Sequence, residues 1–184
     1  TLFRSTDDFI KAMEDANGVD FTQFKRWYSQ AGTPRLEVSE AYDAAAQTYS
    51  LTFRQSCPQT PDKAEKLPFV IPVELGLLDA AGNDLPLQLA GEDAAQGTSR
   101  VLSVTEAEQT FTFEGVQAKP LPSLLRGFSA PVKLSFPYDR DQLMFLMQHD
   151  SDGFNRWDAG QQLSVQVLQE LIGQHQRGEA LVMD

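Results

Sequence analysis

A chain of 184 residues, 41% apolar and 22% charged, has the composition of an ordinary globular protein, long enough for one good-sized core or for one domain with pieces of its neighbours attached. Its formal charge of −11 repels phosphate backbones and anionic lipid, which argues against nucleic acid and membrane surfaces as partners. Cys57 is the single cysteine, so neither an internal disulfide nor a cysteine-based metal cluster can form, and a reducing compartment is expected. Neither a secretory signal nor an apolar run of about 20 residues is present, and a start at Thr1, helical almost at once, suits a piece of a longer polypeptide as well as a processed terminus.

Ser5 or Thr6 followed by Asp7-Asp8 predicts a helix start, because a hydroxyl caps the free N–H groups and carboxylates favour the positive end of the helix dipole. Phe9, Ile10, Met13 and Ala16 mark one face, and Asn17-Gly18 ends the helix. A second helix is expected from Asp20, three residues before Gln23 in a capping-box arrangement. Its Phe21, Phe24, Trp27 and Tyr28 form an aromatic stripe too large to leave exposed, read as packing rather than as a ligand platform.

From Arg35 the period changes from helical to alternating. Leu36 and Val38, then Tyr49, Leu51 and Phe53, predict two strands of a meander around a turn from Glu40 to Gln47. Residues 56–66, with Pro58 and Pro61, read as a crossing from one sheet to another. Phe69 to Leu89 reads as a β-hairpin turning at Gly82-Asn83, with Leu85, Leu87 and Leu89 alternating on its second arm. Val101–Val104 and Thr110–Phe113 are expected to pair, and Leu124–Leu125 and Val132–Phe136 supply the last strands.

Seven or eight short strands over roughly 100 residues predict a mainly β fold, an immunoglobulin-like antiparallel β-sandwich flanked by α-helices at both ends. After Tyr138 the period is helical again. Asp139 and Gln142 repeat the capping-box spacing before an apolar helix around Leu143 to Met147, and a break at Asp150 to Gly153 precedes a longer helix carrying Phe154, Trp157, Leu163, Val167, Leu168, Leu171 and Ile172. These helices cannot bury that surface on one another alone, so they dock on the sandwich or belong to a larger helical domain.

Chemistry-bearing residues are few. His149 and His175 are the only histidines, without HExxH spacing, and each is better read as a helix-terminal or surface residue than as a zinc ligand. Asp150-Ser151-Asp152-Gly153 opens like a calcium loop, but Phe154 and Asn155 fall where the next oxygen ligand and the glycine belong, so a helix break and cap is the simpler account. Cys57 beside Pro58 has no paired base. Glu92-Asp93 and Glu106 with Glu108 read as solvated loop charges rather than acid/base couples. No catalytic, cofactor-binding or metal residue is assigned.

Five stretches, in order, carry a resemblance: Phe24 to Pro34 (FKRWYSQAGTP), Thr60 to Lys66 (TPDKAEK), Val104 to Phe111 (VTEAEQTF), Phe128 to Leu134 (FSAPVKL) and Phe154 to Ala159 (FNRWDA). Together they resemble the bacterial aminopeptidase N family, the gluzincin zinc aminopeptidases. That resemblance implies a cytoplasmic zinc exopeptidase that removes N-terminal amino acids from peptides. It maps residues 1–33 onto the helical tail of a catalytic domain, 34–137 onto a β-sandwich domain and 138–184 onto the first helices of a C-terminal helical domain. The HExxH and GxMEN motifs that hold zinc and the substrate amine in that family do not occur in this chain. Zinc and peptide substrates therefore belong to the parent enzyme, and the partners of this segment would be the parent's remaining domains, with self-association of the segment as a further expectation. The alternative class is a free-standing β-sandwich module binding peptide or carbohydrate through its loops.

Overall fold

A computed structural model describes residues 5–61 and 63–182; Thr1 to Arg4, Asp62, Met183 and Asp184 lie outside the description. Helix α1 (Thr6–Asn17) forms as the sequence predicts: Ser5 and Asp8 make a reciprocal capping box, and Gly18 closes the helix in the left-handed conformation. The second helix is shorter than expected. Only α2 (Arg26–Ser29) is α-helical, and the Asp20–Gln23 box does not form. Asp20 accepts instead from the Thr22 N–H, while the Gln23 amide is drawn away to the carbonyls of Pro68 and Thr105.

Among the described residues, seven strands build two sheets. The first has the order β5-β2-β1-β7, from β1 (Arg35–Asp43), β2 (Thr48–Ser56), β5 (Glu108–Phe113) and β7 (Lys133–Ser135). The second has the order β4-β3-β6, from β3 (Ile71–Leu78), β4 (Arg100–Val104) and β6 (Leu121–Leu124). The β1–β2 ladder runs in register from Arg35 opposite Ser56 to Asp43 opposite Thr48, so the connecting turn is tighter than the expected Glu40–Gln47. All pairings are antiparallel but one: β7 runs parallel to β1. The inward positions Leu36, Val38, Tyr49, Leu51, Phe53, Ile71, Val73, Leu75, Leu102, Val104 and Phe113 meet in the main core.

Two expected pairings are replaced by crossings between sheets. The Phe69–Leu89 hairpin closes only at its tip, where Leu85 N–H donates to Leu77 and Leu78 bridges Asp84. Pro86 then lacks a donor, and the same edge of β3 beyond the tip, Ile71–Leu75, is taken by β4, with β6 along the opposite edge. The second arm passes to the other sheet, where Leu89 bridges Phe113, while Leu87 is buried in the core all the same. Likewise β4 pairs with β3 and β5 with β2, so residues 105–107 change sheets instead of turning a hairpin. Pro72 is tolerated inside β3 because Glu74 N–H, two residues on and facing the same way, points off the ladder to Ser129 Oγ rather than to β4.

The helices α3 (Arg140–His149) and α4 (Gly153–Gln176) follow the sandwich. Asp139 and Gln142 form the expected capping box, and Asp152 caps α4 by accepting from Asn155 N–H at 2.8 Å. A second, smaller apolar cluster of Leu78, Tyr138, Leu143, Leu146 and Ala159 seats this pair on the sandwich. The far face of α4 stays in solvent, with Trp157, Val165, Leu168 and Ile172 all more than half or half exposed. Gly160 on α4 has room for a methyl group, its nearest neighbour being Met147 at 3.6 Å, so Gly160→Ala is expected to raise stability by about 0.5–1 kcal/mol in chemical denaturation.

Candidate functional site

The end of β3 breaks the strand's alternation: Leu75, Gly76, Leu77 and Leu78 are all buried, so both faces of the sheet are covered there. What covers the outer face is Arg126, 4% exposed, delivered by a 3₁₀ turn (Arg126–Phe128) directly after β6. Its guanidinium lies so close over Gly76 that a β-carbon on that glycine would come within 2.2 Å of Cζ. Arg126 Nε donates to Ser123 Oγ at 2.9 Å, and Nη2 donates to Asp84 Oδ1 at 2.6 Å and to Asp150 Oδ1 at 3.3 Å.

These partners come from different parts of the chain. Asp84 and Ser123 belong to the sandwich, and Asp150 to the break between α3 and α4. The same two bodies are tied again by Asn155, whose amide donates to Ser123 Oγ at 2.8 Å and to the Leu124 carbonyl at 3.0 Å. Ser151 Oγ donates to Asp84 Oδ2, and Gly127 N–H donates to Asp152 Oδ2. Tyr138 O–H donates to the Pro122 carbonyl at 2.7 Å, and burial, with the charge of Asp150 nearby, pushes that hydroxyl far above its ordinary pKa. One guanidinium thus stands against two largely buried carboxylates, and the Oδ2 of Asp150 is buried without a hydrogen-bond partner among the described residues. Chemically this arrangement holds and orients: Nε and Nη2 of Arg126 and the Asn155 amide all donate to internal acceptors.

A second seat lies at the other end of the sandwich. Trp27 packs on Phe69 with ring centres 4.5 Å apart and donates its indole N–H to the Val70 carbonyl at 2.8 Å. Gln30 exchanges two hydrogen bonds with the backbone of Leu67, and Arg26 donates to the Pro68 carbonyl. The expected burial of the whole aromatic stripe is corrected here: Phe21, Phe24 and Tyr28 stack edge to face on one another, and Tyr28 is 61% exposed. Trp27→Phe, which leaves the Val70 carbonyl without its donor, is expected to cost about 1–2 kcal/mol in equilibrium unfolding.

The other sequence candidates do not converge. His149 lies against Gly82, where a β-carbon would come within 2.5 Å of the imidazole, and stacks on Phe145. His175 sits in the last turn of α4, and among the described residues no group of three or more His, Cys, Asp and Glu side chains could hold a metal ion. Asp150 and Asp152 serve the joint and the cap of α4, and Cys57 donates weakly to the Ala31 carbonyl. Glu108 pairs with Arg54 at 2.6 Å, and Glu92 receives both terminal nitrogens of Arg100. The Arg100 hydrogen bonds, followed by that from Leu89 N–H, hold the Glu92 carboxyl below its ordinary range. The stability this contributes is present above the ordinary glutamate pKa of 4.5 and is lost as pH falls through the lowered value. In Arg100→Gln the Glu92 carboxyl is expected to titrate upward toward 4.5, observable by side-chain carbonyl NMR. Sequence spacing offered no route to Arg126, because its carboxylate partners lie 42 and 24 residues away.

Among the described residues no helix is long and apolar enough to cross a membrane. A family described as "Domain of unknown function (DUF3458) Ig-like fold" matches residues 32–137, and "DUF3458_C", described as ARM repeats, matches residues 140–184. Aminopeptidase N of Escherichia coli (strain K12) is 46% identical over 175 residues, 95% of this chain and 20% of that protein. Aminopeptidase N of Haemophilus influenzae is 47% identical over the same shares, and that of Caulobacter vibrioides 38% identical over 89% of this chain and 18% of its own. The crystal structure of Legionella pneumophila aminopeptidase A in complex with aspartic acid matches 98% of this chain and 18% of its own, with a TM-score of 0.75 and 29% identity. The chain spans about a fifth of the length of the curated relatives it matches. The resemblance read from five short stretches therefore holds across the chain, which belongs to the DUF3458 family of Ig-like domains and carries a DUF3458_C segment after it.

Proposed function

We propose that this chain is a non-catalytic structural segment of a zinc aminopeptidase that removes N-terminal amino acids from peptides. The observation that carries this reading is the 46% identity, over 95% of the chain, to one fifth of an aminopeptidase N. On this reading residues 1–33 are the helical tail of the catalytic domain, 34–137 the sandwich domain and 138–184 the first helices of the C-terminal helical domain. The remaining domains of the parent are then the partners of this segment; they bind the peptide and hold the zinc, and the parent works in the cytoplasm.

Two features support the division of labour. The chain has no HExxH or GxMEN motif, and its two histidines lie in different helices without converging, so its residues do not fit the zinc of this family. Apolar surface is left open at both ends, on Phe9, Met13, Phe24 and Tyr28 and on the far face of α4, where neighbouring domains would pack. The comparisons give a free-standing peptide- or carbohydrate-binding module no support. An antibody to the sandwich is expected to detect, in a lysate of the source cells, a polypeptide several times longer than 184 residues that copurifies with aminopeptidase activity. A native product of this length, separate from the activity, would refute the reading.

A further inference from the structure

The turn that presents Arg126 is bent in an unusual way: Leu125, Gly127 and Phe128 all have positive φ, at 56°, 60° and 54°. For leucine and phenylalanine this is sterically costly and persists only where the surroundings impose it. Here the surroundings are the joint itself. Leu125 is buried in the main core, Arg126 points inward to Asp84 and Asp150, Gly127 N–H is held by Asp152, and Phe128 points outward, half exposed, against Phe154 at 5.4 Å. The turn therefore sits between the sandwich and the α3–α4 break, and two of its polar ties, Arg126 to Asp150 and Gly127 N–H to Asp152, cross that boundary. Beneath them the apolar contact is small, five buried residues in a cluster separate from the main core.

We propose that the Leu125–Phe128 turn is a latch by which the α3–α4 pair opens from and closes on the sandwich as a unit. Closed, the ionic network and the small apolar seat hold the left-handed turn; open, the turn relaxes, the carboxylates are hydrated and both bodies keep their own hydrogen bonds. The inference rests on the geometry of the joint and not on the aminopeptidase reading.

Hydrogen exchange of the 184-residue chain, followed by mass spectrometry, tests it with two variants at an exposed position. Phe128→Asn and Phe128→Val both remove the ring, but asparagine tolerates the left-handed conformation and β-branched valine does not. The α3 helix and the first turns of α4 are expected to exchange ~10-fold faster in the valine variant than in the asparagine variant, with β1, β2 and β5 alike in both. Arg126→Met is expected to produce the same regional pattern at ~100-fold. Equal exchange in the two Phe128 variants, or a matching rise in the sandwich strands, would overturn the latch.

Discussion

Gly76→Ala is expected to be among the most damaging single-methyl changes in this chain. Gly76 does not need left-handed freedom; it needs to have no side chain, since an alanine β-carbon would lie 2.2–2.4 Å from three atoms of the Arg126 guanidinium. Those atoms cannot retreat within the site, because Asp84, Asp150 and Ser123 fix them from the other side. Either β3 shifts within its sheet or the guanidinium leaves, and in the second case two largely buried carboxylates lose their cation. Breaking a buried pair in this way costs about 3–5 kcal/mol. The same methyl addition at Gly160, where space is available, has the opposite expected sign, so the pair of variants separates the effect of the joint from a general effect of removing glycine. Denaturant unfolding of Gly76→Ala within about 1 kcal/mol of the parent chain would show that the guanidinium does not lie across the strand.

Arg126→Met is expected to cost about 3 kcal/mol in the opening of the joint, the lower end of the range for breaking a buried pair. Methionine restores much of the buried stem but none of the charge, leaving Asp84 and Asp150 to repel one another and Ser123 Oγ without its guanidinium donor. The loss should be regional, read as faster exchange in α3 and early α4, because the nineteen-residue main core does not depend on the ionic network for its packing. The double variant Gly76→Ala with Arg126→Met is expected to be far less damaged than the sum of the singles, since the methyl group then meets a flexible thioether instead of a pinned fork. Additive losses would mean that the two residues act through separate contacts.

The two predictions bear on the proposed role. A spacer between a catalytic body and a helical body has to transmit orientation, and it can do so only if its ends are fixed to its own core. At the first end Trp27, Gln30 and Arg26 grip the backbone of residues 67–70. At the second end Arg126 and Asn155 grip the α3–α4 break. The first grip uses neutral and singly charged donors on carbonyls, which tolerate change; the second concentrates opposite charges in a buried place, where one substitution removes the balance.

Much of the architecture was legible from local chemistry. Alternation at Leu36–Val38, Tyr49–Phe53 and Thr110–Phe113 located strands, because one buried face imposes a period of two on the residues themselves. The caps at Ser5, Asp139 and Asp152 were legible for the same reason: a side chain and the N–H groups it serves are three residues apart or fewer. Where a tertiary acceptor competed, the local rule lost, as when Gln23 abandoned Asp20 for Pro68 and Thr105.

Strand partners were a different matter. Leu85, Leu87 and Leu89 alternate as a hairpin arm would, but β4 holds the edge of β3 along which that arm would run, and they pass to the other sheet. Composition and periodicity by themselves determined that this is a β-sandwich with helical ends, with apolar faces matched to two sheets. Only the tertiary structure decided which strands pair, and that Arg126, an ordinary surface residue by type, is buried under the helices. The reason is physical: periodicity reports how a residue sees its own backbone, whereas pairing and charge burial depend on segments that meet from tens of residues away.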